Sequence, residues 1–495
     1  MTGSATRSAS LFLPDSAVLL TDLYQLTMAY GFWKSGTADK EAVYHLHFRQ
    51  NPFRGGYTVA AGLETAAGFL ESFGFGSEET DYLAELRGND GEPLFEPAFL
   101  DYLEQLEFTC DVAAIPEGTV VFPFEPLLRI SGPIVQCQVL ETPLLNFLNF
   151  QTLIATKAAR ITLAAQGESV LEFGLRRAQG VDGALAASRA AFIGGCSATS
   201  NLLAGKTFGI PVKGTHAHSW VMSFPSELEA FDTYSRAMPN NCVFLVDTYD
   251  SLEGVRNAVE IGRRLRQNGQ EMIGVRLDSG DLAYLSTQAR AILDDAGFQD
   301  AVIVASNDLD EHVISSLKQQ GAAVAVWGVG TKLITGYDEP ALGGVYKMTA
   351  VREPGAEWRY KVKLSEQAIK ISNPGIQQVR RFYHGGEFVG DMIFDQPTGV
   401  SAPPTIVDPS DMTRRKQMPI DADAEDLLVP IFSHGERIYS LPSLPTLQER
   451  AASQLAGFHE GVKRLINPHA YPVGLEPGLF DLRNRLILEA RGVEL

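Results

Sequence analysis

Two histidines stand one residue apart in Gly214-Thr215-His216-Ala217-His218-Ser219, and an arginine and an aspartate do the same in Arg276-Leu277-Asp278. On an extended segment that spacing puts both side chains on one side. An imidazole beside a phosphate can accept a phosphoryl group on a ring nitrogen. A guanidinium offers a planar fork to a carboxylate and a cationic face to a ring. An Arg–Asp ion pair holding a strand end fits the second motif equally well, and spacing alone leaves both open. A metal reading of H-x-H lacks the further ligands such a site needs. Gly328-Val329-Gly330-Thr331 combines unobstructed backbone N–H groups with a hydroxyl, the composition of a phosphate clamp or of a tight turn. Asp278, Ser279 and Asp281 suit ribose hydroxyls, a metal or a helix cap. Arg160, Arg176 and Arg177 would add local positive charge for a polyphosphate. His45 and His47 read as polar residues on a half-exposed strand face.

These residues need elements that bring them to one place. Short apolar runs recur at Val170–Phe173, Ile210–Lys213, Cys242–Val246, Met272–Val275, Ala301–Ala305, Val324–Trp327 and Gly344–Met348. Amphipathic helical stretches follow Asp250 and Gly280, and another carries Leu309, Val313 and Leu317. That alternation predicts parallel strands covered by helices, and the number of units favours an irregular β/α barrel over an open doubly wound sheet. In such architectures reactive groups leave the carboxyl ends of strands. The exits hold Glu172–Arg177, Gly214–Ser219, Asp247, Arg276–Asp281, Ser306-Asn307-Asp308 and Gly328–Thr331, almost all polar or glycine.

Around this core, a helix from Thr21 or Asp22 to Gly36 is expected to bury Leu23, Leu26, Tyr30 and Trp33, with Tyr24 off that stripe. A strand over Glu41–Arg49, helices over 60–108 and short strands over 111–138 come next. Val379–Tyr383 and Phe388–Phe394 predict a hairpin. Residues 396–425 read as a loop, and 445–465 and 475–492 as helices. The 495 residues carry 41 Lys+Arg against 60 Asp+Glu, a net charge of −19, which argues against sequence-independent nucleic-acid binding. No apolar run reaches the length of a membrane span. The N-terminus, interrupted by Pro14 and Asp15, lacks a signal-peptide pattern. Four separated cysteines without a C-x-x-C pair predict reduced thiols and a cytoplasmic protein.

Taken in order, several motifs resemble those of nicotinate phosphoribosyltransferases: Thr21–Met28, Phe48-Arg49 with Asn51-Pro52-Phe53, Glu172–Gly180, Gly214–Ser219, Val275–Asp281, Gly328–Thr331 and Leu342–Lys347. The resemblance implies an α/β sandwich domain plus an irregular β/α barrel, with a leader at 1–15 and boundaries near 16–155, 156–378 and 379–495. The last segment would pack on the sandwich domain. It also implies a homodimer with active sites at the subunit interface. The implied reaction joins nicotinate to phosphoribosyl pyrophosphate, with Mg²⁺, and couples ATP hydrolysis to it through a phosphohistidine. On that resemblance His218 is the phosphorylated residue, Arg276 meets nicotinate, Tyr24 reaches in from the partner subunit, Thr215 contacts substrate and Thr331 clamps the terminal phosphate. His216 occupies a variable position and has no assigned role. Glu172 and Asp278 join His218 and Arg276 as catalytic candidates. Phe173, Arg176, Ser306, Asn307, Gly328 and Gly330 join the substrate-contacting set. Ser197–Asn201, taken as a helix, has no carboxylate to repel an anionic pyridine. Nicotinamide or quinolinate transfer, or a non-catalytic barrel binding a phosphorylated metabolite, are the alternatives.

Overall fold

Parallel strands dominate Ile154–Pro340, one of the two units into which the chain divides. They are β1 (Ser169–Glu172), β2 (Ala198–Thr199), β3 (Val243–Leu245), β4 (Gly274–Leu277), β5 (Val302–Ser306) and β6 (Val326–Val329). Their order in the sheet is β2-β1-β6-β5-β4-β3. This computed structural model of the chain describes residues 17–493, so the proposed leader lies outside the described residues. The last parallel strand, β6, pairs with the first, β1. A bridge between Thr199 and Val212 extends the sheet by one residue. Among the described residues no ladder joins Val212 to β3, so the sheet is not closed into a barrel by hydrogen bonds. The expected strand over Ile210–Lys213 is reduced to that bridge.

Why these segments are strands follows from burial on both faces. Val275, Leu277, Ala305, Trp327 and Val329 are fully buried, and each large apolar side chain so placed stabilises by about 1.5–3 kcal/mol. Gly274 is required, since a Cβ there would stand 2.1 Å from the Val302 carbonyl oxygen on the neighbouring strand. Helices follow most strands, and acidic or amide caps start four of them. Asn201 accepts from Ala204 N–H, Asp250 from Glu253 N–H, Asp281 from Tyr284 N–H and Asp310 from His312 and Val313 N–H. Asp281 is therefore a cap, and Asp278 is not. Ser197–Asn201, expected as a helix, is β2 followed by the cap of the helix Leu202–Phe208. Two residues, Ala198 and Thr199, make a strand too short for periodicity to reveal.

The other unit contains the chain up to Leu153 and from Ala341 onward. The boundary at Pro340 differs from the expected 378 because Val345–Arg352 pairs antiparallel with Glu41–His47. Gly344–Met348 thus does not continue the parallel series. Both strands belong to a seven-stranded antiparallel sheet. Ala42 and Leu46 on one face of Glu41–His47 are buried, and so are Val43, His45 and His47 on the other. The half-exposed face assigned to the two histidines is in fact core. His45 is held by Thr349 Oγ1 at 3.0 Å and by the Gln377 N–H at 3.2 Å. Burial pushes the His45 imidazole well below its ordinary range and the His47 imidazole down to about 3.

The expected hairpin is present as Gln377–His384 and Glu387–Asp395, inside a second, six-stranded sheet. Residues 396–425 are not a loop, since they contribute Thr405–Asp408, Asp411–Gln417 and most of Asp423–Asp426 to it. The N-terminal helix runs Leu23–Lys34 and buries Gln25, Leu26 and Ala29, leaving Leu23 exposed against expectation. All four cysteines are free and buried. Among the described residues no helix is long and apolar enough to cross a membrane.

Candidate active site

At the carboxyl ends of β1, β3 and β4 lies a cavity of about 350 Å³ lined by Phe173, Arg176, Ser200, Thr215, His216, His218, Leu245, Arg276 and Asp278, among others. Arg276 is its hub. Its Nε donates to Ser306 Oγ at 2.9 Å, and its two terminal nitrogens to Thr215 Oγ1 at 3.1 Å and Asp278 Oδ1 at 3.0 Å. Ser306 also donates to Asp278 Oδ1. The guanidinium carbon sits 5.6 Å from the centroid of the Phe173 ring, within cation–π range. One planar group therefore ties β4, β5, the 214–218 segment and the exit of β1 together. The ion-pair reading of Arg276–Asp278 is realised, and the pair faces the cavity.

His218 opens the short helix His218–Met222. Its Nδ1 lies 3.2 Å from Thr248 Oγ1, while Nε2 faces Asp247 Oδ1 at 3.9 Å and Asp278 Oδ2 at 3.8 Å. Asp247 is almost entirely buried. Its Oδ2 accepts from the Asp278 N–H at 2.9 Å and Ser279 Oγ at 2.5 Å, and its Oδ1 has no hydrogen-bond partner among the described residues. A buried carboxylate oxygen left without a donor calls for a cation or a ligand proton. His216 is structural. Its Nε2 accepts from the Leu245 N–H at 3.3 Å, it packs against Phe231 and Tyr234, and burial pushes its imidazole down to about 4.

Other candidates fall elsewhere. Glu172 is 1 % exposed, and its carboxylate accepts from the Gly174 N–H, Ser188 Oγ and Thr199 Oγ1. It braces β1 against β2 and the helix Val181–Ile193, and it does not line the cavity. Gly328, Gly330 and Thr331 do not line it either. A Cβ on Gly328 would stand 2.9 Å from the Phe173 ring, so this glycine makes room for the ring. Asn307 is exposed at a left-handed turn with φ of 97°. Arg160, expected near phosphate, is buried against Glu311 at 2.9 Å, with Lys157 on the same carboxylate at 2.7 Å. Tyr24 belongs to the other unit and is 48 % exposed. Asp247 and Ser200 belong to none of the motifs given a role from the sequence. Only the exit position of Asp247, after an apolar strand, pointed to it.

Family models for the nicotinate phosphoribosyltransferase N-terminal domain, the nicotinate phosphoribosyltransferase family and its C-terminal domain match residues 19–149, 169–362 and 376–483. The chain belongs to the nicotinate phosphoribosyltransferase family. It is an enzyme of that family, and its relatives match it over nearly the whole chain. A Bacillus subtilis nicotinate phosphoribosyltransferase is 43% identical over 487 residues, covering 97% of each chain. The human nicotinate phosphoribosyltransferase is 35% identical, covering 94% of this chain and 96% of its own. The crystal structure of human nicotinic acid phosphoribosyltransferase superposes with a TM-score of 0.81 at 33% identity, over 94% of this chain and 99% of that one. A Pyrococcus furiosus nicotinate-nucleotide pyrophosphorylase, at 23% identity and a TM-score of 0.68 over 89% and 95% of the two chains, shares the fold.

Proposed function

We propose that this nicotinate phosphoribosyltransferase family member joins nicotinate to phosphoribosyl pyrophosphate, with ATP hydrolysis coupled through phosphorylated His218. The observation carrying this reading is that the His218 imidazole and the Arg276 guanidinium share one cavity with Asp278 between them. The pyridine nitrogen attacks C1 of the ribose, the C1–O bond breaks and pyrophosphate leaves. Nicotinate needs no general base, because its nitrogen already carries the lone pair. The work is orientation. Arg276, held by three partners, and the Phe173 ring form a fixed wall for the anionic pyridine, and Tyr24 of a second subunit would close it in a homodimer. Asp278 lies where positive charge develops at C1, and Arg176 supplies charge for the leaving group. Ser197–Asn201 brings no carboxylate beside the ring, which favours nicotinate over nicotinamide.

The residues present fit a magnesium ion arriving with substrate phosphates. Asp247 Oδ1 and Asp278 Oδ2 both face His218 Nε2, and Mg²⁺ is commonly held by one or two carboxylates plus phosphate oxygens. Bound there, the ion would supply charge neutralisation for pyrophosphate. In the coupled half-reaction, His218 Nε2 takes the γ-phosphoryl group as ADP leaves, and water later releases phosphate. Four buried thiols and an acidic net charge fit the cytoplasm.

Incubation with γ-labelled ATP tests the reading directly. Acid-labile label should map to His218 and vanish in His218→Ala, which should keep slow transfer to nicotinate without nicotinate-stimulated ATP hydrolysis. Full coupling in that variant would remove His218 from the mechanism. Assay of nicotinate, nicotinamide and quinolinate side by side decides the pyridine.

A further inference from the structure

A second cavity, of about 640 Å³, lies wholly within the other unit, a volume suited to a small organic ligand. Its walls include Phe122, Phe124, Ile371, Ile393, Val473 and Leu475. Arg483 projects into it from the helix Pro477–Ala490 and is only 7 % exposed. Its Nε has no hydrogen-bond partner among the described residues, and one terminal nitrogen reaches the Pro409 carbonyl only at 3.5 Å. Burial lowers its guanidinium from the usual range, and no acidic group offsets this. Asp408 lines the same cavity, but its Oδ1 is taken by the Ser410 N–H at 2.8 Å and Ser410 Oγ at 2.5 Å.

Arg381, in the same unit, shows what a structural buried arginine looks like. It is fully buried and paired with Asp391, Gln454 Oε1 and the Val120 carbonyl. Leaving a buried charge unpaired is among the more costly things a fold does, and nothing in the packing around Arg483 requires a cation. A ligand anion does.

We propose that this cavity binds a small organic monocarboxylate with a flat apolar body, its carboxylate paired with Arg483. A single guanidinium and a nearby Asp408 suit one negative charge and disfavour a phosphate dianion. The apolar walls suit a ring or a branched hydrocarbon.

Calorimetric titration of the full chain with 2-naphthoate and its neutral counterpart 2-naphthamide tests this. The carboxylate should bind at least tenfold more tightly than the amide. Arg483→Met should erase that preference, and Arg483→Lys should retain part of it. Without ligand, Arg483→Met should melt at the same or a higher temperature, because it removes an unpaired buried charge. Equal binding of the two probes, or a preference surviving in Arg483→Met, would overturn the proposal, the latter by placing the probe at the catalytic cavity. A lower melting temperature in Arg483→Met would also overturn it, by showing an internal partner for the guanidinium.

Discussion

The three hydrogen bonds of Arg276 depend on a planar fork, so a point charge of the same sign cannot replace it. Arg276→Lys should lower kcat/KM for nicotinate at least tenfold while raising the KM for ATP little. Equal effects on both would make the residue structural. Gly328→Ala pushes a methyl group toward the Phe173 ring and should raise the KM for nicotinate several-fold with little change in the urea midpoint. Steady-state kinetics beside a denaturation curve separates these outcomes. At this scale the sequence was readable where type and spacing coincide, as at His218, Arg276 and Asp278. It marked Asp247 only by its place at a strand exit, one acidic residue in no motif, whose contacts come from a neighbouring strand's backbone and from Ser279. At Glu172 it named a carboxylate that the fold buries and ties to its neighbours outside the cavity. A carboxylate at a strand exit looks reactive until the three donors holding it are seen.

Glu172 shows what holds the strand ends in place. Its carboxylate accepts from two hydroxyls and a backbone N–H on three segments. Glu172→Gln turns one acceptor into a donor facing donors, which should cost about 1–3 kcal/mol by urea denaturation. Ser188→Ala should cost less, because it removes one donor and leaves two. Strand patterning marked five of the parallel strands, since recurring apolar runs buried on both faces are conspicuous. It could not say that Val345–Arg352 pairs with Glu41–His47, because partner choice is written in register and not in composition. Nor did it find Asp411–Gln417, whose residues are nearly all exposed and four of seven charged. That is the composition expected of an edge strand protected against pairing with other chains.

Across the whole chain, the buried imidazoles of His45, His47 and His216 set how the fold responds to acid. Each is neutral when folded and takes up a proton near pH 6.5 once unfolded. Stability should therefore fall as pH drops from about 6.5 toward 4, by up to about 1.4 kcal/mol per pH unit for each group. Glu125, whose carboxyl is raised by burial and by Asp391, acts with the opposite sign, so the measurement is a difference. His47→Gln should make the urea midpoint fall less between pH 7 and 5 than it does in the unaltered protein. An identical fall would mean that His47 is protonated in the native state. The cysteines carry a practical consequence. All four are buried, and burial raises the thiols of Cys110 and Cys196 and takes that of Cys242 up to about 11, which keeps them from the thiolate form that alkylating reagents attack. A single cysteine engineered onto the surface would thus be the thiol a maleimide dye finds first, and fluorescent or spin labels can be attached without deleting native sulfur.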